Sequence, residues 1–274
     1  MVYCRPEDLD RLLQSEAFLA GIGAAVRKTH DSGYETLFRV FQRREGSVFV
    51  FDEKISVGGT DSVAVDTIAD KRHREEYLSN AKKTIERLAH TRQERELYMN
   101  MILNTVYPHI PFPNSGQEVL AVEDTAGHIP YVDFHTHPQK LISCPSLEDL
   151  QAYNNIRKQE RAKGRNVSPL AVIAACPEFR GINDLLFLKE IATEPLTQDE
   201  ITRCQKALET ALYIHGNNTS IDNTTCDTIK EAALESVSPY YAFTSAVFDA
   251  QNQQILNYRG EVMTSNDFAE NFFV

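Results

Sequence analysis

The most informative part of the sequence is residues 131–150, which read YVDFHTHPQKLISCPSLEDL. Apolar and polar residues alternate through residues 131–137, and Pro138 follows, which predicts a strand that ends at the proline. Side chains at positions i and i+2 project from the same face of a strand, so His135 and His137 are expected to point the same way. Their two imidazoles would then be close enough to hold one metal ion.

A carboxylate follows the predicted strand at a suggestive distance. A loop leads to Ser146-Leu147-Glu148-Asp149, which has the pattern of a helix start, with Asp149 one turn into the helix. Together with His135 and His137, Asp149 makes three nitrogen and oxygen ligands, the number that a catalytic zinc site takes from its protein while it leaves a fourth position to water. Each part also has a local explanation, an ordinary histidine pair or a capping box, and only the combination favours a metal site.

Residues 135–138 (HTHP) and 146–149 (SLED) together resemble the JAMM motif of the MPN-domain zinc metalloproteases. Eight residues separate His137 from Ser146, one more than this family usually has, and the difference concerns only the path of the loop. The resemblance covers residues 6–191, apart from an internal insertion. It implies an α/β fold in which a mixed, largely antiparallel sheet is flanked by helices.

The same resemblance implies a chemistry. The reaction would be hydrolysis of peptide or isopeptide bonds in a protein substrate, such as removal of a ubiquitin-like protein from its conjugate. Zn²⁺ would be held by His135, His137 and Asp149. Ser146 would donate a hydrogen bond to the oxyanion, or would serve only as the helix cap. The metal used in the cell stays open, because sites of nitrogen and oxygen ligands accept several ions.

A glutamate at the start of the first strand is the general acid and base in the family that the motif resembles. Glu35 occupies that place, after a helix predicted at residues 6–29 and the glycine turn that ends it. Glu53 also borders a strand upstream of the histidines and is the alternative. Glu45 lies in a predicted hairpin turn and is less suited.

Periodicity and turn signals predict the remaining elements. Strands are predicted at residues 35–42, 47–51, 55–57, 118–123, 129–137, 170–176, 184–191, 242–248 and 254–258, and further helices at residues 146–163, 197–214 and 224–236. The nearly continuous apolar run at residues 170–176 is typical of a buried central strand.

Residues 66–106 differ in character from the sequence around them. They are highly charged, with apolar residues at helical spacing, and are interpreted as one long helix, or two joined helices, inserted into the core domain. The predicted organisation is a catalytic domain at residues 1–195 and a helix–helix–hairpin extension at residues 196–274. The insertion would act as a brace or dimer arm, or would shape or block a substrate cleft. A second copy of the chain, forming a homodimer, or another partner would bind through the insertion or the extension.

Charge and composition argue against several classes of function. The hydrophobic fraction of 42% and charged fraction of 24% are ordinary for a globular protein. The net charge of −11 argues against general binding to nucleic acid. The sequence has no apolar run of about 18 residues, so no membrane span is expected. The first residues do not resemble a signal peptide, and the five scattered cysteines indicate reduced thiols in a cytoplasmic protein.

Three alternatives to a JAMM-type protease stay open. A catalytically silent MPN-fold scaffold would use the fold for protein assembly. A metal-dependent amidohydrolase or PHP-type barrel has a similar strand motif, but it needs further histidines on later strands, and only His215 follows His137. An MPN-fold protein of DNA repair is disfavoured by the acidic charge.

Overall fold

The computed structural model describes residues 5–43, 48–52, 54–58, 79–80, 82–87, 89, 91–95, 98, 109–113, 119–120, 128–138, 142–176, 182–216 and 223–273. The helices with defined bounds are α1 (Pro6–Leu13), α2 (Glu16–Ser32), α3 (Leu147–Ala162), α4 (Gln198–Gly216) and α5 (Asn223–Glu235). Two short 3-10 helices, Ser265–Asp267 and Glu270–Phe273, follow near the end. None of the described helices is both long and apolar enough to cross a bilayer.

The strands of these ranges form one sheet around the histidine-bearing strand. They are β1 (Thr36–Gln42), β2 (Phe49–Asp52), β3 (Lys54–Val57), β4 (His109–Pro111), β5 (Val119–Leu120), β6 (Ile129–Pro138), β7 (Leu170–Cys176), β8 (Ile182–Glu190), β9 (Tyr241–Asp249) and β10 (Gln254–Leu256). Their order is β10-β9-β8-β7-β6-β1-β2-β5, and β3 pairs with β1 and β4.

The sheet is mixed but mostly antiparallel. Among the described strands, β6 and β7 are parallel, as are β2 and β5, and the other pairs are antiparallel. The predicted fold class, an α/β protein with a mixed, largely antiparallel sheet flanked by helices, is confirmed in these terms. A closed barrel of parallel strands, as the amidohydrolase alternative requires, is not what the described strands form.

The sheet separates two hydrophobic clusters. Val132 and Phe134 of β6 lie in a cluster with residues of α1 and α2, while Ala171 and Ile173 of β7 lie in a second cluster with residues of α3, α4 and α5. This alternation follows from the two-residue period of a strand. The helices therefore cover both faces of the sheet, and the chain has three layers.

The pairing of β1 with β6 fixes the position of the histidines. Leu37 of β1 lies opposite His135 of β6, and Phe38 lies opposite Phe134. The rings of Phe38 and Phe134 are stacked with centroids 4.8 Å apart. Such a pair adds about 0.5–1.5 kcal/mol to the stabilisation from burial alone. A slip by one residue would exchange the two faces and break this stack, so the register is strongly specified.

The single helix predicted at residues 6–29 is two helices. Between them, Ser15 adopts an extended backbone and its Oγ accepts a hydrogen bond of 3.4 Å from the backbone N–H of Phe18. This cap begins α2, and the prediction missed it because the apolar stripe continues on both sides of the break. α2 ends at Gly33, whose φ of 69° is the left-handed conformation that glycine adopts without strain.

The predicted insertion at residues 66–106 lies largely outside the described residues. Where the backbone is described, it is helical at residues 79–80, 82–87, 92–95 and 98. The strand predicted at residues 118–123 is described only at Val119–Leu120, where it pairs with β2.

Residues 196–274 contribute to the same sheet and the same core as the rest of the chain. β9 pairs with β8 from Tyr241 opposite Glu190 to Asp249 opposite Ile182. The last segment folds back, so that Phe268 packs edge-on against Phe187 of β8 with ring centroids 5.2 Å apart. The predicted extension is thus an integral part of the three layers.

Candidate metal centre

His135 and His137 occupy the end of β6 and face the helices α3, α4 and α5. They are buried, with 3% and 8% of their surface exposed. Thr136 between them faces the other way, where its Oγ1 accepts a hydrogen bond of 2.8 Å from the backbone N–H of Thr36 and lies 2.6 Å from Oγ1 of Thr29. The strand alternation therefore puts both imidazoles on one face, as the sequence predicts.

Asp149 reaches the histidines from the first turn of α3. The Ser146 N–H donates to Oδ2 of Asp149 at 2.7 Å, and the Asp149 N–H donates to Oγ of Ser146 at 3.1 Å. These reciprocal bonds form a capping box. A capping box and a metal-ligand role for Asp149 are therefore compatible, because the cap fixes the carboxylate while leaving it directed towards the imidazoles.

Nitrogen and oxygen atoms of three side chains converge at this point. Nε2 of His135 lies 3.0 Å from Nε2 of His137. Oδ1 of Asp149 lies 3.2 Å from Nε2 of His135, and Oδ2 lies 3.3 Å from Nε2 of His137. In a tetrahedral zinc site with bonds of about 2.0–2.1 Å, two donor atoms lie about 3.3–3.4 Å apart. One ligand atom from each of the three side chains lies within 4.8 Å of the other two, so the group is close enough to share one metal ion.

The described part of the chain contains this one group of three or more histidine, cysteine or acidic side chains close enough to hold a metal ion together. The lone pairs of two neutral imidazole nitrogens 3.0 Å apart repel each other unless a proton or a cation lies between them. A cation shared with the carboxylate of Asp149 would satisfy all three groups.

The electrostatics keep a negative charge at the site. Burial by itself would raise the pKa of Asp149. The charges and hydrogen bonds of His135 and His137 together have the larger, opposite effect, so its pKa lies well below the usual range. Burial is the largest single influence on the pKa of His135 and lowers it, but the charge and hydrogen bond of Asp149, together with the charges of Asp133 and Glu35, outweigh burial and leave that pKa raised. Asp149 is therefore a carboxylate that attracts a positive charge, whether from a proton or from a metal ion.

Tyr153 of α3 is a further polar neighbour of the cluster. Its hydroxyl lies 3.1 Å from Nδ1 of His135. With Nε2 directed to a metal, Nδ1 carries the proton and donates it to the tyrosine oxygen, an arrangement that orients a ligand imidazole. Tyr153 follows Asp149 by four residues on α3, so the helical period could have placed both on one face.

Glu35 lies immediately before β1 and close to the histidines. It is buried, with 8% of its surface exposed. The register that pairs Leu37 with His135 continues towards His137 when it is extended by two residues to Glu35. Its negative charge is one of the influences that raise the pKa of His135. The structure thus brings Glu35 to the same end of the sheet as the three candidate ligands.

The alternative base Glu53 and several other histidine and cysteine side chains take no described part in the cluster. Glu53, the alternative base, and the side chains of His109 and His215 lie outside the described residues. His128 is half-buried and lies just before β6. Cys176 is buried at the end of β7, where its side chain belongs to the hydrophobic cluster of α1 and α2, as a packing cysteine would.

Comparison with known proteins adds no assignment. No family model matches this chain, and no curated protein is significantly similar to it.

Proposed function

We propose that the chain is a JAMM-type zinc metalloprotease with an MPN-like fold that hydrolyses peptide or isopeptide bonds. One observation carries the proposal, namely the convergence of His135, His137 and Asp149 beside the buried Glu35. Three ligands and a nearby carboxylate are the parts that metal-assisted hydrolysis of an amide needs. The mostly antiparallel sheet with helices on both faces supports the same proposal.

Three side chains would hold the zinc ion and fix its position. His135 and His137 bind through Nε2, and Asp149 binds through its carboxylate. A zinc ion held by these side chains would supply polarisation of the scissile carbonyl and a lowered pKa for a bound water molecule. Tyr153 keeps the ring of His135 in place by accepting a hydrogen bond from Nδ1–H.

Glu35 acts as the general base and then as the general acid. Its carboxylate takes a proton from the attacking water and passes it to the nitrogen of the leaving amine. The burial of Glu35 supports this role, because it keeps the carboxylate inside the site, at the same end of the sheet as the histidines.

Ser146 has a hydroxyl proton that its helix cap does not consume. In the cap, Oγ accepts from the backbone N–H of Asp149, which occupies a lone pair. Ser146 is also exposed, so that a substrate can reach it. Its O–H donates to the oxyanion that develops on the substrate carbonyl.

The substrate we propose is a protein joined through a lysine, such as a conjugate of a ubiquitin-like protein. This part of the proposal comes from the resemblance of the HTHP and SLED segments to the JAMM motif. The net charge of −11 suits a partner with a basic surface.

Metal analysis and a cleavage assay test the function together. Elemental mass spectrometry of purified wild type, His137→Ala and His30→Gln should find about one zinc per chain in the first and third and none in the second. His30 is a suitable control because it lies on α2 and pairs with Asn183, at 3.1 Å, on the opposite side of the sheet. Glu35→Gln should keep its zinc and lose cleavage of a lysine-linked ubiquitin-like conjugate.

Two outcomes would contradict the proposal. Wild-type protein without zinc, even after incubation with the metal, would mean that the motif is a strand followed by a capped helix and nothing more. Zinc without cleavage of any peptide or isopeptide substrate would favour the catalytically silent scaffold.

A further inference from the structure

The segment at residues 142–146 leads into α3 and is anchored by Ser143. The backbone N–H and the Oγ of Ser143 both donate to Oδ2 of Asp184, each at 2.7 Å. Ser143 is fully buried, although Ser146 three residues later is exposed. The segment that carries the helix cap is therefore pinned to β8, the strand of Asp184.

Lys230 of α5 completes this anchor. Its Nζ lies 2.8 Å from Oγ of Ser143, 2.7 Å from Oδ1 of Asp184 and 3.2 Å from the carbonyl oxygen of Leu185. Only 1% of its surface is exposed. The hydroxyl of Tyr258 also donates to Oδ1 of Asp184 at 3.1 Å. Asp184 is thus the common acceptor of donors from the 142–146 segment, from α5 and from the end of the sheet.

A serine and a lysine at this distance can form a nucleophilic dyad, but the contacts here disfavour one. Ser143 has no exposed surface through which a substrate could reach its oxygen. The ammonium of Lys230 lies within 2.8 Å of both carboxylate oxygens of Asp184, which favours its charged form and not the neutral amine that a general base requires. The pair is therefore built to hold structure.

We propose that Lys230 and Asp184 are positioning residues of the metal centre. They hold the 142–146 segment so that Ser146 caps α3 and Asp149 meets His135 and His137. The inference rests on the proposed function, because it assumes that these three side chains bind a metal ion. It assigns a role to residues 196–274, since Lys230 of α5 supports the segment that carries the cap of Asp149.

The anchor can act on the capping box because Ser143 and Ser146 are close together in the chain. Ser143 precedes Ser146 by three residues, so a shift of the anchored serine passes directly into the capping box. The capping box in turn holds Oδ2 of Asp149 at 2.7 Å from the Ser146 nitrogen. A metal site requires its ligands to be placed within a few tenths of an ångström, and groups that orient ligands typically change metal affinity about 10–100-fold.

The test uses two variants of the anchor and one control in the full-length chain. Lys230→Met removes the ammonium, and Ser143→Ala removes the hydroxyl but leaves the pair of Lys230 and Asp184 intact, in case the first variant does not fold. Lys189→Met is the matched control. Lys189 is also buried and lies on β8, but it binds the carbonyl oxygen of Phe272 and has no part in the anchor.

Two readouts are measured. The first is the dissociation constant for zinc, obtained by competition with a chromophoric chelator. The second, in metal-free protein, is the rate at which a maleimide labels Cys144, followed by peptide mapping. Cys144 adjoins Ser143 and is half-buried, so that its labelling reports the opening of the segment.

The expected result is a dissociation constant raised about 10-fold or more, with faster labelling of Cys144, in Lys230→Met and Ser143→Ala but not in Lys189→Met. Unchanged zinc affinity in Ser143→Ala and Lys230→Met would overturn the inference, as would an equal loss in Lys189→Met. If wild-type protein binds no zinc, the proposed function fails, and the labelling rates still decide whether the segment is anchored by this pair.

Discussion

The hydroxyl of Tyr153 lies 3.1 Å from Nδ1 of His135, so the two nitrogens of this imidazole have different partners. Nε2 faces Asp149 at 3.2 Å, and Nδ1 faces the tyrosine. Two residues of α3 thus contact the ring, Asp149 at Nε2 and Tyr153 at Nδ1. The contribution of the Tyr153 hydroxyl to zinc affinity can be measured by removing it.

Replacing Tyr153 by phenylalanine should weaken zinc binding about 10-fold while the chain still folds, because the ring of His135 loses the acceptor for its Nδ1 proton. Chelator competition measures the affinity, and circular dichroism checks the fold. Tyr241→Phe is the control, since Tyr241 is also a buried tyrosine whose ring packs in the cluster of α3, α4 and α5. Equal affinity in Tyr153→Phe and wild type would argue against an orienting role.

Tyr241→Phe should itself stabilise the protein slightly. Within the described structure, the buried hydroxyl of Tyr241 has no hydrogen-bond partner. Its removal ends the desolvation penalty of a buried polar group and should raise the free energy of unfolding by up to about 1 kcal/mol. Urea titration measures this. A loss of more than the experimental error would show that the hydroxyl is satisfied by a group such as an ordered water.

Thr136→Val should destabilise the protein by about 1–3 kcal/mol, because the N–H of Thr36 and the hydroxyl of Thr29 both lose a buried partner. Thr136→Ser keeps the hydroxyl and should lose less. The zinc content of both variants should match that of wild type, since residue 136 faces α2. Urea unfolding and elemental analysis distinguish this from a role at the metal, which would lower the zinc content as well.

The thiols of Cys176 and Cys204 should resist alkylation in the folded chain. Burial raises the pKa of Cys176 to about 12 and that of Cys204 to about 11. At pH 8 this leaves about one thiolate in a thousand or fewer, compared with about one in four for a thiol of ordinary pKa. Iodoacetamide at pH 8, with peptide mapping, should modify both residues in urea but neither in buffer. Rapid labelling of the native protein would contradict this.

Asp267 should make stability depend on pH in the acid range. Burial by itself raises its pKa, but hydrogen bonds from the backbone of Thr264 and the side chain of Asn257 lower it below the usual value. A carboxyl whose pKa is lower in the folded state stabilises the fold above its unfolded pKa of about 3.9, and this contribution is lost as the pH falls through the folded value.

The urea midpoint of Asp267→Asn should therefore lie below that of wild type at pH 7, and the two midpoints should approach each other as the pH is lowered past 4. Glu235→Gln is a suitable control, because Glu235 is an exposed acid on a different element, at the end of α5. A midpoint difference that does not change with pH would mean that the effect of the substitution is not electrostatic.

The sequence predicted the parts of the site that local spacing determines. His135 and His137 are two residues apart on a strand, and Ser146 and Asp149 are three residues apart at a helix start, so each pair is placed by its own element. The burial of the strand at residues 170–176 follows equally from its unbroken apolar run.

The sequence could not predict the supports that come from distant segments. Ser143 and Lys230 are separated by 87 positions, and nothing in the residues around either one indicates the other. The break at Ser15 was missed because an apolar stripe outweighed a single capping serine. Position along the chain likewise suggested Glu35, but only the pairing of β1 with β6 places it beside the histidines.

The nine-residue pairing of β9 with β8 has a consequence for synthesis of the chain. Until residues 241–249 have left the ribosome, β8 is an unpaired edge that exposes backbone hydrogen-bonding groups next to Leu186 and Leu188. Such an edge is a template for pairing with other chains. Translation that stops after residue 195 should therefore yield an aggregation-prone fragment rather than a smaller folded protein.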